Sequence, residues 1–360
     1  MFDFTGIADA GGWIGAGGPE NDVVISSRIR LSRNLKQRPY PGTATTQEEA
    51  ETQALILDAF GKLPDRGGFS ILLLDDLLPV ERRILIERNF ISQGFSLEKG
   101  RALALRHDQR CAAILGEEDH LRLVGFSGGF SLATLYEEID GVDGRLEALL
   151  PYAVSPEWGY LNTSITNLGT GMKASTMLHL PALVMSGLIK KAVKATNQLG
   201  LSIRGFFGEG QDSLGSIYLV SNEITIGMSE PEIIANLEGI VGQLLAFERK
   251  TREEMMEKRR VELEDRVFRA YGLLRYCRYI SAAEAVDHLS ALRLGTNLGL
   301  LGTLDVNLLT VLLFLSQKSH VQKLLLNHHE EIDGKLVEYT RAKIIREFLA
   351  AQEREGADHV

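Results

Sequence analysis

The run Glu117-Glu118-Asp119-His120-Leu121-Arg122 sets three acids against a His and an Arg. Read as extended chain, its side chains alternate between faces, so Glu118, His120 and Arg122 share one face and Glu117 points the other way. A carboxylate and a guanidinium aimed at one place can divide the work of a reaction: the base handles a proton while the cation holds an anion. The plain alternative is a surface turn laced with salt bridges. Three further segments have the same double character. Arg28-Ile29-Arg30 closes a first strand, with both guanidinium forks on one face, Ser27 opposite and Ile29 inward; two forks suit phosphate oxygens, and a solvated edge strand is the alternative. Asn167-Leu168-Gly169-Thr170-Gly171-Met172-Lys173 reads as a Gly-punctuated turn leading into a helix. There, glycines let backbone amides approach a ligand, a helix start favours anions and Lys173 adds a cation; otherwise it is an ordinary strand-to-helix turn. Arg204-Gly205-Phe206-Phe207-Gly208-Glu209-Gly210 carries a cation and an acid on a flexible loop that would let Glu209 swing onto a ligand, or is a plain hairpin loop. His328-His329-Glu330-Glu331 has neither i, i+4 spacing nor a Cys partner, so it reads as solvated loop, and no protein-held metal is expected.

The elements that must position these groups belong to a globular chain of 360 residues, 44% apolar and 24% charged, which suggests one large domain or two of ordinary size. A net charge of −9 argues against a nucleic-acid binder, so any phosphate ligand needs a local basic cluster. The N-terminus has no signal-peptide pattern, and the run Leu308 to Leu315 is too short for a membrane span. With only Cys111 and Cys277, reduced thiols and a cytoplasmic location are expected; Cys111 reads as inert core and Cys277 as helical packing.

Residues 1–20 read as a Gly-rich arm anchored by Trp13 and not as a phosphate loop, because no Gly-Lys-Ser/Thr follows. Strands are expected at Val23 to Ser27, Ser70 to Leu74 (buried), Cys111 to Leu115 paired with Arg122 to Phe126, Leu201 to Phe207, Ser216 to Ser221 and Glu223 to Ile226. Leu161 to Asn167 reads as extended. Helices are expected at Thr46 to Leu63, Val80 to Ile91, Leu132 to Leu149 and within Ala174 to Leu199. At Ser229-Glu230-Pro231-Glu232, a capping box with Pro in the first turn, the texture becomes helical, with further helices at Val261 to Tyr276, Ala282 to Leu292, Leu304 to Leu315 and Leu336 to Ala351. The expected organisation is a mixed α and β domain over residues 1–250 and an all-helical domain over residues 251–360.

The four segments in this order, Ser-Ser-Arg-x-Arg, Glu-Glu-Asp-His-x-Arg, Asn-Leu-Gly-Thr-Gly and Arg-Gly-x-x-Gly-Glu, resemble the ATP:guanidino phosphotransferases, the family of creatine and arginine kinases. Glu262 to Gly272, Leu289 to Gly295 and Met177 to Leu183 look like the bacterial protein-arginine kinases, and the likeness runs from about Trp13 to about Leu349. The resemblance implies an α+β catalytic domain with a mainly antiparallel sheet flanked by helices, followed by the helical domain. It implies transfer of the ATP γ-phosphoryl group, with Mg²⁺ bound to the nucleotide, onto arginine side chains of proteins. Glu118 and Glu209 are then the catalytic carboxylates. Arg28, Arg30, Arg122, Lys173 and Arg204 are the phosphate clamp, with Ser26, Ser27, Ile29, Asn89, Ala174, Ser175, Thr176, Met177, Gly205, Phe206, Phe207 and Gly208 also on the nucleotide side. Ser164 and Asn167 are on the substrate side, and Glu338 and Arg341 mark a phosphoarginine site. A homodimer, a zinc-binding activator and an ATP-dependent protease system are implied as partners. The chain departs from the family pattern at Ser164 (usually Cys), Lys173 (usually Arg), Asn89 (usually His) and Val337-Glu338-Tyr339-Thr340-Arg341-Ala342, which keeps little of Arg-Asp-x-x-Arg-Ala. Ser164, Lys173 and Val337 keep open a catalytically weak adaptor that binds ATP or phosphoarginine proteins, and a kinase for a free guanidino compound is a separate alternative.

Overall fold

The computed structural model describes residues 12–64, 68–207, 213–302, 304–326 and 332–357, the last five by backbone only. In chain order the elements are β1 (Val24–Arg33), α1 (Thr46–Lys62), β2 (Phe69–Leu73), α2 (Pro79–Glu87), β3 (Ala102–Arg106), β4 (Cys111–Leu115), β5 (Leu121–Gly128), α3 (Leu132–Glu147), β6 (Val154–Ser155) and β7 (Gly159–Tyr160). They continue with β8 (Met172–His179), α4 (Pro181–Met185), α5 (Ile189–Gln198), β9 (Leu201–Phe207), β10 (Leu214–Asn222), α6 (Glu230–Lys258), α7 (Arg260–Tyr276), α8 (Ala282–Asn297), α9 (Val306–Leu315), α10 (Lys318–Leu326) and α11 (Gly334–Ala357). Eight strands form one sheet in the order β2-β3-β4-β5-β1-β8-β10-β9, antiparallel at every ladder. The expected α+β architecture is observed.

Each face of the sheet carries its own core. Ile29, Leu31, Leu121, Leu123, Ala174, Leu178 and Val220 pack with residues of α1, α3 and α6, among them Ile56, Ile139 and Leu237. The other face presents Val124, Phe126, Met177, Ile217 and Leu219, which share a core with Leu289 of α8, Phe314 of α9 and Leu349 of α11. The C-terminal helices therefore close the sheet itself. Trp13 anchors the N-terminal segment as expected: it stacks on Phe126 at 5.0 Å and meets Phe314 edge-on at 5.3 Å. Buried Arg293 of α8 donates to Thr310 Oγ1 at 2.6 Å and to the Asn21 carbonyl, fastening the same segment.

Capping explains where two long helices begin. Thr45 and Glu48 form a reciprocal box at α1, and Glu232 accepts from the Ser229 N–H at 2.7 Å at α6. α6 then passes through residue 250 without a break, and the chain turns at Arg259.

Several local expectations are corrected. The helix expected within Ala174 to Leu199 is present as α4 and α5, but the turn ending at Lys173 leads into β8 and not into a helix, because residues 172–179 lie between β1 and β10. A central strand buried on both faces loses the alternation that betrays a strand. Leu161 to Asn167 is not extended throughout but ends in a 3₁₀ turn at Ile165–Asn167, and Glu223 to Ile226 is irregular chain whose Thr225 hydroxyl bonds the Leu168 carbonyl at 2.7 Å. β1 runs on to Arg33 rather than ending at Arg30. β2 is an edge strand with Ile71 and Leu73 exposed. β3 and α10 were not foreseen.

Candidate active site

Directly paired residues in a ladder share a face, and register brings the basic residues of four strands onto one. Arg30 of β1 is opposite Lys173 of β8, and Arg28 is opposite Ser175. On the other side of β1, Arg28 is opposite Phe126 and Ser32 is opposite Arg122 of β5. Arg204 of β9 is opposite Leu219 of β10. These cations share the face whose remainder, including Phe126 and Leu219, packs under the C-terminal helices. The Arg28 guanidinium carbon lies 5.4 Å from the Phe126 ring centroid, so the ring that Trp13 supports also supports a cation.

The acidic hexapeptide is not extended. Residues 116–120 form a bend, and β5 begins at Leu121. Both carboxylates consequently reach Arg122: Glu117 contacts Nη1 closely, and Glu118 lies 3.5 Å from Nη2. Glu117 therefore does not face away, as strand alternation predicted. It is the more enclosed partner, its side chain 11% exposed against 43% for Glu118. His120 leaves the shared face entirely. Its Nδ1 accepts the Leu35 N–H at 3.0 Å, its Nε2 is 2.8 Å from the Pro39 carbonyl, and burial, the main cause, depresses its pKa. Buried Asp119 accepts from Asn34 Nδ2 at 2.7 Å and from the Thr163 N–H at 2.8 Å, which ties the bend to residues 162–167. Asn167, at the end of that segment, bridges the two halves of the site: Arg30 donates to its Oδ1 at 3.4 Å, and its Nδ2 is 3.5 Å from Glu118.

The cluster is electrostatically unbalanced. Among the described residues no carboxylate pairs with Arg28, Arg30, Lys173 or Arg204. The Nε atoms of Arg28, Arg30 and Arg122 are buried without a hydrogen-bond partner. Burial first, then the charges of Arg30, Arg122 and Arg204, pushes Arg28 down to about 9, and burial with repulsion from Arg122 pushes Arg30 to about 10. Burial, Arg30 and Arg204 lower Lys173 in the same sense. Desolvated forks that repel one another and point unused N–H groups inward suit a multiply charged anion such as a nucleotide polyphosphate. Beside Arg204 lies a cleft of about 470 Å³ bounded by Ile86, Glu87, Asn89, Gly205, Phe206, Phe207, Leu219 and Gln317.

Not every residue expected on the nucleotide side reaches this face. Ser26, Ser175 and Met177 do, by register with Arg28 and Phe126. Ile29 and Ala174 point into the opposite core. Thr176 alternates with Ser175, so it too lies on the opposite side, fully buried. Ser27 also turns away, its hydroxyl donating to the Gly129 carbonyl at 2.8 Å. Gly169 and Gly171 serve packing rather than a helix start: both have positive φ, and a Cβ on Gly171 would meet the Ser32 carbonyl at 2.6 Å. Ser164 pairs with the Thr166 hydroxyl at 2.8 Å. Glu338 and Arg341 lie on α11, where buried Arg341 donates to the Ser316 and Ile280 carbonyls at 2.6 and 2.8 Å. Gly208, Glu209 and the His328 to Glu331 run lie outside the described residues. Sequence reading overlooked Gln317 and Glu87, which no local motif marks, and misjudged Glu117, which only the bend explains.

Residues 51–251 match the family described as ATP:guanido phosphotransferase, C-terminal catalytic domain. Residues 260–359 match the Protein-arginine kinase McsB C-terminal domain. The chain is 38% identical over 346 residues to a protein-arginine kinase of Brevibacillus brevis, covering 95% of this chain and 96% of that protein. It is 40% identical over 313 residues to one of Halalkalibacterium halodurans, covering 86% and 88%. Among solved structures, lombricine kinase shares the fold at a TM-score of 0.56 and 24% identity, covering 69% of this chain and 70% of that one. The duplicated taurocyamine kinase of Schistosoma mansoni does so at 0.58 and 23%, covering 68% and 35%. The chain belongs to the ATP:guanido phosphotransferase family, in the group whose catalytic domain is followed by the protein-arginine kinase C-terminal domain.

Proposed function

We propose that this protein transfers the γ-phosphoryl group of ATP to arginine side chains of proteins. The observation that carries the reading is the set of cations that pair with no carboxylate among the described residues, on one sheet face with Glu118 at its edge, bridged to Arg30 through Asn167. An arginine guanidinium, with a pKa of about 12.5–13.8, costs roughly 7.5–9 kcal/mol to deprotonate at neutral pH, so its nitrogen must be oriented and its proton accepted as the new bond forms. Glu118 is exposed enough to meet a substrate and is steadied by Arg122 and Asn167. It hydrogen-bonds the incoming guanidinium, holds one nitrogen in line with the γ-phosphorus and takes the proton released as the N–P bond forms and the bond to the departing ADP oxygen breaks. By resemblance Glu209 clamps the guanidinium from the other side. Arg28, Arg30, Arg122, Lys173 and Arg204 hold the phosphates. Mg²⁺ carried on the nucleotide would offset part of its charge.

The same reading includes a cytoplasmic location, supported by free Cys111 and Cys277 and by the lack, among the described residues, of any helix long and apolar enough to cross a membrane. From the resemblance it also includes a homodimer, a zinc-binding activator and a protease system that receives the marked proteins, with Glu338 and Arg341 as the phosphoarginine site. The test is incubation with ATP·Mg²⁺ and either an unfolded protein or free arginine, reading acid-labile, base-stable phosphate by mass spectrometry. Protein phosphorylation lost in Glu118→Gln and in Glu209→Gln is expected. Transfer that survives both substitutions would sink the mechanism, and ATP binding without transfer would favour an adaptor.

A further inference from the structure

We infer that Gln317, contributed by the C-terminal helical region, reads the base of the nucleotide and selects adenine over guanine. The inference rests on the reading that a nucleoside triphosphate occupies the cation face. The cleft beside Arg204 is walled by two parts of the chain that are distant in sequence. Arg204, Phe206 and Phe207 come from β9, Glu87 and Asn89 from the end of α2, and Gln317 from the junction of α9 and α10. Its volume of about 470 Å³ is within the range of small-molecule sites, generally about 300–1,000 Å³. Arg204 belongs to the charged group that depresses Arg28, which gives the cleft a phosphate side. Phe206 and Phe207 pack edge to face at 4.7 Å, and both lie against Phe314, one turn before Gln317. Aromatic rings near a cleft of this size favour a flat heterocycle.

Hydrogen-bonding capacity then narrows the base. The Gln317 amide nitrogen donates to the Leu313 carbonyl at 2.8 Å, which orients the side chain and leaves Oε1 as an acceptor with no partner among the described residues. Glu87 offers less, because one oxygen takes the Ser319 N–H at 3.0 Å and the other is 2.8 Å from His320 Nδ1. Asn89 stands in the left-handed region at φ 61°, which caps α2 and leaves its side chain at the cleft. A fixed acceptor matches the exocyclic amine of adenine and opposes the carbonyl oxygen that guanine and hypoxanthine carry at the same position. A site built to bond an amine is left with an unpaired polar atom by a base that lacks one, and this is the kind of mismatch that discriminates strongly.

The experiment uses the full chain and needs no substitution in its first arm. ATP·Mg²⁺, GTP·Mg²⁺ and ITP·Mg²⁺ are titrated by calorimetry and compared as phosphoryl donors to an unfolded protein. ATP is expected to bind at least tenfold more tightly than ITP or GTP; equal affinities overturn the inference. In the second arm Gln317→Met, which keeps side-chain length without the acceptor, is expected to reduce the ATP-over-ITP preference at least fivefold, through KM more than kcat, with thermal unfolding little changed. Gln317→Lys, which replaces the acceptor with a donor, is expected to shift the preference further toward ITP and GTP. A wild-type protein that transfers phosphate from ATP while Gln317→Met keeps the full preference shows that the base is read elsewhere and overturns this inference alone. A wild type that neither binds nor uses any nucleotide overturns the functional reading itself. If Gln317→Met does not fold, Gln317→Lys decides alone: an undiminished ATP-over-ITP preference overturns the assignment.

Discussion

Arg30 and Lys173 face each other across the β1–β8 ladder, two cations in direct register, neither paired with a carboxylate among the described residues. Like charges placed opposite one another in a sheet destabilise it, and here burial adds to the cost. Lys173→Met should therefore separate function from stability. A hydrogen bond to a charged group is worth about 1.5–3 kcal/mol, so ATP affinity should fall roughly 10- to 150-fold, while the nucleotide-free protein should unfold at a higher temperature than wild type. Calorimetric titration and a thermal melt of the same sample check both. A melt shifted downward would mean that Lys173 stabilises the ladder.

Glu117 and Glu118 share Arg122 but should fail differently. Glu118→Gln removes the exposed base and should cut transfer by about two orders of magnitude or more, with ATP binding little changed. Glu117→Gln takes away the enclosed partner of Arg122 and should act mainly through nucleotide affinity, raising KM for ATP by roughly tenfold. Strand alternation had made Glu117 a bystander; the bend at residues 116–120 makes it the inner carboxylate. Separate determination of kcat and KM for the two variants distinguishes these outcomes.

The depressed guanidinium pKa values set a sign for pH dependence. Arg28 at about 9 and Arg30 at about 10 lie well below an arginine in the unfolded chain. Well below pH 9 both states are fully charged, and the folded protein carries the whole cost of crowding these cations. As pH rises through 9 and 10 the unfolded chain holds more protons than the folded one, so this cluster's contribution to stability improves. ATP binding runs the opposite way. A bound polyphosphate raises both pKa values again, so affinity should decline from pH 8 to pH 10 and binding near pH 9 should take up protons. Calorimetry in buffers of different ionisation enthalpy reads that uptake directly.

Thiol reagents should leave the enzyme active. Cys111 is fully buried and its thiol is pushed up to about 12 by burial. Cys277 sits at the end of α7, also with a raised pKa. Ser164, which by resemblance stands on the substrate side where the family usually carries Cys, has its hydroxyl on Thr166. Iodoacetamide is expected to leave transfer unchanged in wild type and to abolish most of it in Ser164→Cys.

The parts of this site that were legible in the sequence are those whose spacing survives into a ladder. Arg28 and Arg30 keep one face because β1 is regular there, and Ile29 goes to the core as alternation requires. The reading failed where a bend replaced a strand, at Glu117 to His120, and where a strand buried on both faces imitated a helix, at Lys173 to Leu178. His120 looked like chemistry because a His beside acids is ambiguous in one dimension; only its bonds to Leu35 and Pro39 show that it is scaffold. Gln317 was invisible for another reason. It becomes part of the cleft through the packing of Phe314 on Phe206 and Phe207, a contact between segments over a hundred residues apart.

The shared core of Phe126, Met177, Ile217 and Leu219 with Leu289, Phe314 and Leu349 has a consequence for how this protein can be taken apart. The boundary at Arg259 invites cutting the gene there, as though a kinase and an accessory piece had been joined end to end. A chain stopped at Lys258 would keep every cation of the proposed phosphate clamp and still lose the helices that share a core with their sheet, baring a large apolar surface. It is expected to be recovered as aggregate. The residues after Arg259 share this core with the sheet, so substitutions on either side of Arg259 should compensate one another across it.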